Sequence, residues 1–383
     1  MAMAEPDDSH DIIIIGAGIA GASVAAELAG HARVLVLERE DRPGYHTTGR
    51  SAALFTVAYG PPVIRALSRA SHDFFCNPDS RFISQPLLRQ RGVLFVAHEG
   101  QAGVLEELAE ELGDAVHPIG TDAALSMMPL IRPGYIAGAL MDGSAADIDV
   151  DALHQHYLKT FQALGGTVRT NAGVTRLSRD GGVWTVEAGG QRFRSATIVN
   201  AAGAWADEIA VMAGVAPVGL VPKRRTAVLI DPPAGAEPDR PATWPMVVDA
   251  QEGFYLKPDA GKLLISPADE TPSPPCDAQP EELDVAICVD RIEQAFDISV
   301  RRVVHKWAGL RSFVADKCPV IGHARDADGF FWLAGQGGYG IQSAPAAARA
   351  AAALVLKQPL PADILAEGVT AEALSPGRAG IGR

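Results

Sequence analysis

Two kinds of hydrophobic pattern alternate along the chain. Asp11-Ile-Ile-Ile-Ile15 is a short β-branched run without polar alternation, the pattern of a strand buried on both faces. Residues 23–29 are helix-compatible, and Gly30 stops them. Arg33-Val-Leu-Val-Leu-Glu38 reads as a second buried strand ending in a carboxylate, so Asp11 to Glu38 forms one βαβ unit of 28 residues. Beyond residue 60 the pattern changes. Residues 64–75 and 104–112 predict helices, Gly92-Val-Leu-Phe-Val-Ala97 a strand, and Thr121-Asp-Ala-Ala-Leu a capped helix start. Residues 151–164 predict a long amphipathic helix. Residues 167–170, 174–177, 183–187 and 192–194 predict short strands, and Ala196-Thr-Ile-Val-Asn200 a strand running into Ala201-Ala-Gly203-Ala-Trp205.

From 217 to 312 the chain is again β-rich, with proline-rich loops at 231–245 and 267–280. The last block returns to the first type: strand 330–334, Gly335-Gln-Gly-Gly-Tyr-Gly340 at a helix start, and an alanine-rich helix to about residue 357. No internal repeat is present. The interleaving predicts two intertwined domains, each assembled from discontinuous pieces: 1–60, 146–216 and 313–383 for one, 61–145 and 217–312 for the other.

Gly16-x-Gly18-x-x-Gly21 alone would be a weak signal. Here it follows a strand, opens a helix and sits inside the βαβ unit, with Glu38 lying 17 residues after Gly21. The first glycine permits the tight turn, the second lets backbone approach a pyrophosphate, and the third lets helix and strand pack closely. The helix N-terminus then faces the phosphates, and Glu38 accepts hydrogen bonds from a ribose. A small NAD dehydrogenase would continue with further βα units. This chain turns instead to Gly44-Tyr-His-Thr-Thr-Gly49-Arg50-Ser51-Ala-Ala53, suited to packing on a diphosphate and an isoalloxazine. With the late glycine-rich wall, the order points to FAD, and a positive helix end near the flavin would favour its reduced anion.

Composition narrows the class. The 383 residues allow two or three domains at about 150 residues each. Acidic residues outnumber basic ones 46 to 33, giving a net charge of -13 and no basic stripe for nucleic acid. Cys76, Cys276, Cys288 and Cys318 lack CxxC spacing, which argues against a disulfide framework or zinc site and fits a reducing compartment. The acidic start has no signal-peptide character, and the longest uncharged stretch, 12–26, is too short for a membrane span. The expectation is a soluble cytoplasmic protein with no metal: no His/Cys/Asp/Glu cluster has ligand spacing, and no GxSxG or Cys–His pairing marks a covalent nucleophile.

The order GAGIAG, Glu38, GYHTTGRSAA, NAAGAW, GLRSF, CPVIG and GQGGYG resembles the D-amino-acid oxidase and glycine oxidase family of FAD enzymes, and within it the bacterial D-arginine dehydrogenases. The resemblance covers nearly the whole chain, including Thr56-Val-Ala-Tyr-Gly60, Asp147 to His154, Pro222-Lys-Arg-Arg225, Phe254 to Gly261 and Trp307 to Asp316. It implies an α/β Rossmann-like FAD domain interleaved with an α+β substrate domain on a mixed sheet. It implies hydride transfer from the Cα of a D-amino acid to flavin N5, giving the imino acid.

The resemblance also implies roles. Cofactor contacts fall on Gly16, Gly18, Ala20, Gly21, Glu38, Arg39, His46, Thr48, Gly49, Arg50, Ser51, Ala52, Val174, Ala202, Gly203, Trp205, Gly335, Gly337, Gly338, Tyr339, Gly340 and Ile341. Arg225 and Arg311 match the arginines that grip the substrate carboxylate, and a guanidinium fork suits that task. Arg224, adjacent on a strand, should point the other way. Tyr59 and Tyr255 match active-site tyrosines, Gly338 a carbonyl that receives the amine, and Thr56 the loop over the substrate.

Two departures stand out. Leu54 replaces a histidine, and Val93 replaces the glutamate expected to receive a guanidinium. The expectation is a dehydrogenase preferring apolar side chains, with a quinone or dye as electron acceptor. Covalent-flavin relatives attach FAD through cysteine, and Cys318 lies past that region, so FAD should be non-covalent. A lysine assists oxygen in the sarcosine-oxidase branch, whereas the matching strand here reads 263–265 with Lys262 just outside. An oxidase or dehydrogenase of another small amine, L-amino acid or 2-hydroxy acid remains an alternative, as does a non-catalytic flavoprotein subunit.

Overall fold

The computed structural model describes residues 8–78, 80–233 and 243–382. The acidic start and much of the 231–245 loop fall outside them. The fold is mixed α/β, as the hydrophobic pattern implies, and is built on three sheets.

The first sheet has eight strands, with Asp8–Ile15 at its centre. That strand pairs in parallel with Val34–Leu37 on one side and Gln191–Asn200 on the other. Ile13 and Ile14 are wholly buried, each contributing about 1.5–3 kcal/mol. This explains the unbroken apolar run: both faces are covered. Helix Ile19–Leu28 packs against helices Val150–Ala163 and Ala344–Val355, whose buried small residues allow close approach.

The second sheet has nine strands and is mixed. Its long hairpin-like pair, Val221–Ile230 and Val303–Phe313, runs antiparallel. Tyr255–Asp259, Met246–Asp249 and Val93–Ala97 extend the sheet. A small third sheet joins Leu54–Phe55, Ala146–Ile148 and Leu88–Gln90. Asp147, on its middle strand, ties it to the second sheet by accepting from Lys257 at 2.9 Å and Arg91 Nε at 2.6 Å. Lys257 is buried, so removing Asp147 would leave its charge without this partner, at a cost.

Several element boundaries differ from expectation. The strands expected at 192–194 and 196–200 are one, Gln191–Asn200, because Ser195 is buried and its hydroxyl donates to the Thr197 carbonyl at 2.9 Å. Gly120, not Thr121, takes the N-cap of Thr121–Met127. The last alanine-rich helix begins at Ala344, a turn beyond the glycine-rich loop. Lys262 opens the Lys262–Ser266 strand rather than lying outside it, and pairs with Asp231 at 2.5 Å. No helix among the described residues is long and apolar enough to cross a membrane.

Candidate active site

Backbone packing at the βαβ turn leaves no room for side chains. Gly16 has φ +102°, and a Cβ there would lie 2.5 Å from the Ala201 carbonyl oxygen. A Cβ on Gly21 would lie 1.9 Å from the Gly16 carbonyl oxygen. Gly18 caps helix Ile19–Leu28 with no side-chain bond of its own. Thr48 reaches over instead: its Oγ1 accepts the Ile19 N–H at 2.9 Å. Glu38 is buried, accepting Ala17 N–H at 2.8 Å and Glu40 N–H at 3.0 Å. Each oxygen keeps acceptor capacity for a ribose hydroxyl.

His154 supports this turn from helix Val150–Ala163, donating through Nε2 to the Ala17 carbonyl at 2.9 Å. A Cβ on Gly44 would sit 2.9 Å from its ring, so the 44–53 loop is seated on the same histidine. Burial pushes the His154 imidazole below its usual range. Sequence reasoning gave His154 no role, although the family resemblance runs through Asp147 to His154, because its partner is distant in the chain. At the far end, His46 Nε2 meets Glu40 at 2.9 Å, its ring lies 4.7 Å from Trp205, and Arg39 stacks on that indole at 4.6 Å.

The second sheet supplies two arginines by register. Arg225 lies opposite Gly309 and Lys223 opposite Arg311, so Arg225 and Arg311 are diagonal neighbours on one sheet face. Arg224 takes the other face and pairs with Asp284 at 2.9 Å and with Glu281. Arg225 Nε donates to the Asp269 carbonyl at 2.9 Å, and its Nη2 stands 3.4 Å from Glu270. Arg311 Nη1 donates to the Tyr59 hydroxyl at 3.3 Å. Burial works against the Arg311 charge, but Tyr59 and Tyr255 outweigh it and hold its ionisation above the usual range. A Cβ on Gly338 would lie 2.9 Å from Arg311 Cζ, so any larger residue there would push the guanidinium aside.

These groups line one cleft of three joined spaces. The first, about 440 Å³, is bounded by Gly16, Gly18, Glu38, Arg39, His46, Val174, Ala202, Gly203 and Trp205. The second is lined by Gly18, Ala20, Thr48, Arg50, Ser51, Ala52, Gly337, Gly340 and Ile341, and reaches Arg225, Tyr255, Arg311 and Gly338. The third, about 90 Å³, shares those last four and adds Leu54, Thr56, Tyr59 and Val93. An extended ligand thus has most room at the βαβ end and least at the arginines. Met246, Val248, Phe95 and Phe254, which sequence reasoning missed, complete mostly apolar walls, and Glu252 is the one carboxylate on them. Thr56 Oγ1 donates to the fully buried Asp142 at 2.6 Å and accepts Ala58 N–H at 2.9 Å.

Four expected contacts are not on the cleft walls. Gly21 packs on Gly16, and Gly49 folds back, its N–H donating to the Gly44 carbonyl at 2.8 Å. Gly335, at φ +74°, turns the chain out of the Phe330–Ala334 strand. Tyr339 is buried against Tyr59 and Phe313. Arg50 lines the cleft, yet its guanidinium is held by the Ala278 and Ala308 carbonyls at 2.9 and 3.0 Å. The 47–50 segment is joined to Val303–Phe313 twice more: Thr47 Oγ1 donates to the Leu310 carbonyl at 2.7 Å, and Trp307 Nε1 to the Arg50 carbonyl at 3.0 Å. No group of three or more His, Cys, Asp or Glu among the described residues could hold a metal ion.

A glycine turn that only bare backbone fits, a helix N-terminus and a buried ribose-type carboxylate define a dinucleotide site continuous with a small reaction chamber. The donor set fits FAD. The model of the DAO family, FAD dependent oxidoreductase, matches residues 11–354, and the chain belongs to that family. Its cofactor is FAD, and no cysteine lines the cleft.

The relatives are diverse. Glycine oxidase of Geobacillus kaustophilus is 25% identical over 88% of this chain and 90% of its own. Its crystal structure superposes with a TM-score of 0.79 at 22% identity, covering 92% of this chain and 95% of that one. L-alpha-glycerophosphate oxidase from Mycoplasma pneumoniae, with FAD bound, gives a TM-score of 0.81 at 18% identity over 91% and 95%. 4-Methylaminobutanoate oxidase of Paenarthrobacter nicotinovorans is 27% identical over 68% of this chain, which spans about a third (33%) of that enzyme.

Proposed function

We propose that this FAD-dependent oxidoreductase oxidises a D-amino acid to its imino acid, preferring apolar side chains and passing electrons to a quinone or dye. The observation that carries the reading is the diagonal pair Arg225 and Arg311 on one sheet face, at the reaction end of the cleft. Two guanidinium forks side by side suit one carboxylate. The glycine oxidase relative supports an amino substrate. The D-configuration rests on the sequence resemblance.

FAD, when bound, supplies the acceptor for the hydride leaving Cα. The chain supplies the rest. Arg225 and Arg311 hold the carboxylate and so fix the direction of the Cα–H. Tyr59 and Tyr255 present hydroxyls beside it, and the Gly338 carbonyl receives the amine, whose proton must leave as the imine forms. Thr56, oriented by Asp142, closes the loop side. Leu54, Val93, Phe95, Met246 and Val248 keep water out and take the side chain. Burying one substrate methylene there is worth about 0.8 kcal/mol, a few-fold in kcat/KM.

Glu252 favours a second reading, in which the side chain is cationic and meets this carboxylate at the rim. A dye-coupled screen of all D- and L-amino acids separates the two. D-Leucine, D-methionine or D-phenylalanine should outperform D-arginine and D-lysine, and Val93→Glu should shift the ratio toward the cations. D-Arginine as best substrate would overturn the apolar pocket. Reaction only with an L-amino acid or secondary amine would overturn the D-specificity.

A further inference from the structure

Four buried side-chain polar atoms among the described residues lack a hydrogen-bond partner. Two of them, His46 Nδ1 and Gln336 Nε2, belong to residues that line the FAD cleft. His46 already bonds Glu40 through its other nitrogen. Gln336 has no such bond: its backbone carbonyl accepts Tyr339 N–H at 3.0 Å, but its carboxamide is unspent.

A buried donor without a protein partner bears a desolvation cost unless something else accepts from it, which is why such atoms are rare. Gln336 also lies where a small backbone makes room for it. A Cβ on Gly340 would fall 3.1 Å from Gln336 Cβ and 4.0 Å from Ile19 Cγ2, so at Gly340 the glycine-rich loop that carries the glutamine closes on the first turn of helix Ile19–Leu28, and all three residues line one cleft. That is where the two walls of the cleft converge.

We propose that Gln336 is a cofactor-binding residue whose Nε2–H donates to an oxygen of FAD, completing the cradle from the C-terminal side. The acceptor is a carbonyl of the isoalloxazine or an oxygen of the ribityl-diphosphate arm, and both would satisfy the same donor.

The test compares wild type, Gln336→Leu and Gln336→Glu. FAD dissociation constants are measured on apoprotein by flavin fluorescence, with reduction potential and absorption spectrum measured on the FAD-saturated forms. Loss of one such bond should weaken FAD about three- to tenfold in Gln336→Leu. Gln336→Glu should weaken it further, since it sets lone pairs against lone pairs. An acceptor on the ring would also shift the potential and spectrum; an acceptor on the arm would leave both unchanged. Equal FAD affinity, potential and spectrum in all three proteins would overturn the proposal. So would a fall in apoprotein thermal stability with FAD affinity unchanged, because it would make Gln336 a packing residue only. Gln336→Asn, which keeps the donor on a shorter arm, should bind FAD better than Gln336→Leu.

Discussion

At the scale of single residues, the decisive contrast is between Arg224 and Arg225. They are neighbours of identical chemistry, yet one is spent on Glu281 and Asp284 while the other faces the cleft. Strand alternation alone sorts them. Arg311 shows the reverse economy: it holds little besides the Tyr59 hydroxyl, at 3.3 Å, and so remains available to a ligand. Replacing Arg311 with Met should leave FAD content normal and raise KM at least about tenfold, because a charge-assisted bond is worth roughly 1.5–3 kcal/mol. Steady-state kinetics of the purified variant settle it; unchanged KM would remove Arg311 from substrate binding.

What could be read from the sequence follows from where the information lies. Gly16, Gly18 and Glu38 are legible because turn, helix start and strand end are consecutive in the chain. Val93 and Leu54 were visible as departures from a family pattern, and both line the compartment. Met246, Glu252 and Gln336 carry no local signal. Met246 is brought in by its register opposite Val93, and Gln336 is marked only by an amide left without a partner after folding.

At the scale of elements, helix Val150–Ala163 is more than a cover for the first sheet. Asp149 caps it by accepting Ala152 N–H at 2.9 Å, and from its first turns it sends His154 to the Ala17 carbonyl. The pattern of apolar positions predicted this helix to within a residue at each end, yet could not assign the histidine, because its partner lies 137 residues away.

The carbonyl can only accept, so Nε2 carries a proton. With the native imidazole pushed down by burial, the unfolded chain binds more protons as pH falls from about 6.5. The contribution is complete above that value and lost below it. His156, also pushed down by burial, acts in the same direction. Thermal unfolding of the holoprotein should therefore drop between about pH 7 and 5. His154→Gln, which keeps a donor but cannot titrate, should flatten that drop. Identical pH profiles would show that His154 does not set it.

At the scale of the whole molecule, the FAD cradle sits on one sheet and the arginine pair on another. What joins them is the 47–50 segment, bonded to Val303–Phe313 through Thr47, Arg50 and Trp307. Its other side meets the Ile19 N–H through Thr48. The strand that carries Arg311 and the N-terminus of helix Ile19–Leu28 therefore share one short connector. Whatever orders that connector for one ligand has ordered it for the other, and linkage makes the effect mutual. FAD binding and carboxylate binding should thus be cooperative. The compound 2-aminoisobutyrate has the amino acid's two charged groups but no Cα–H to lose, so it binds without turnover. It should tighten FAD on the apoprotein by about fivefold or more, the low end of such couplings. Trp307→Phe together with Thr47→Val should abolish most of that gain while each ligand still binds alone. If FAD affinity ignores 2-aminoisobutyrate, the connector is only a tether. If the gain appears, a protein short of cofactor is also a poor trap for its substrate, and amino acid in the surroundings protects the enzyme from losing its flavin.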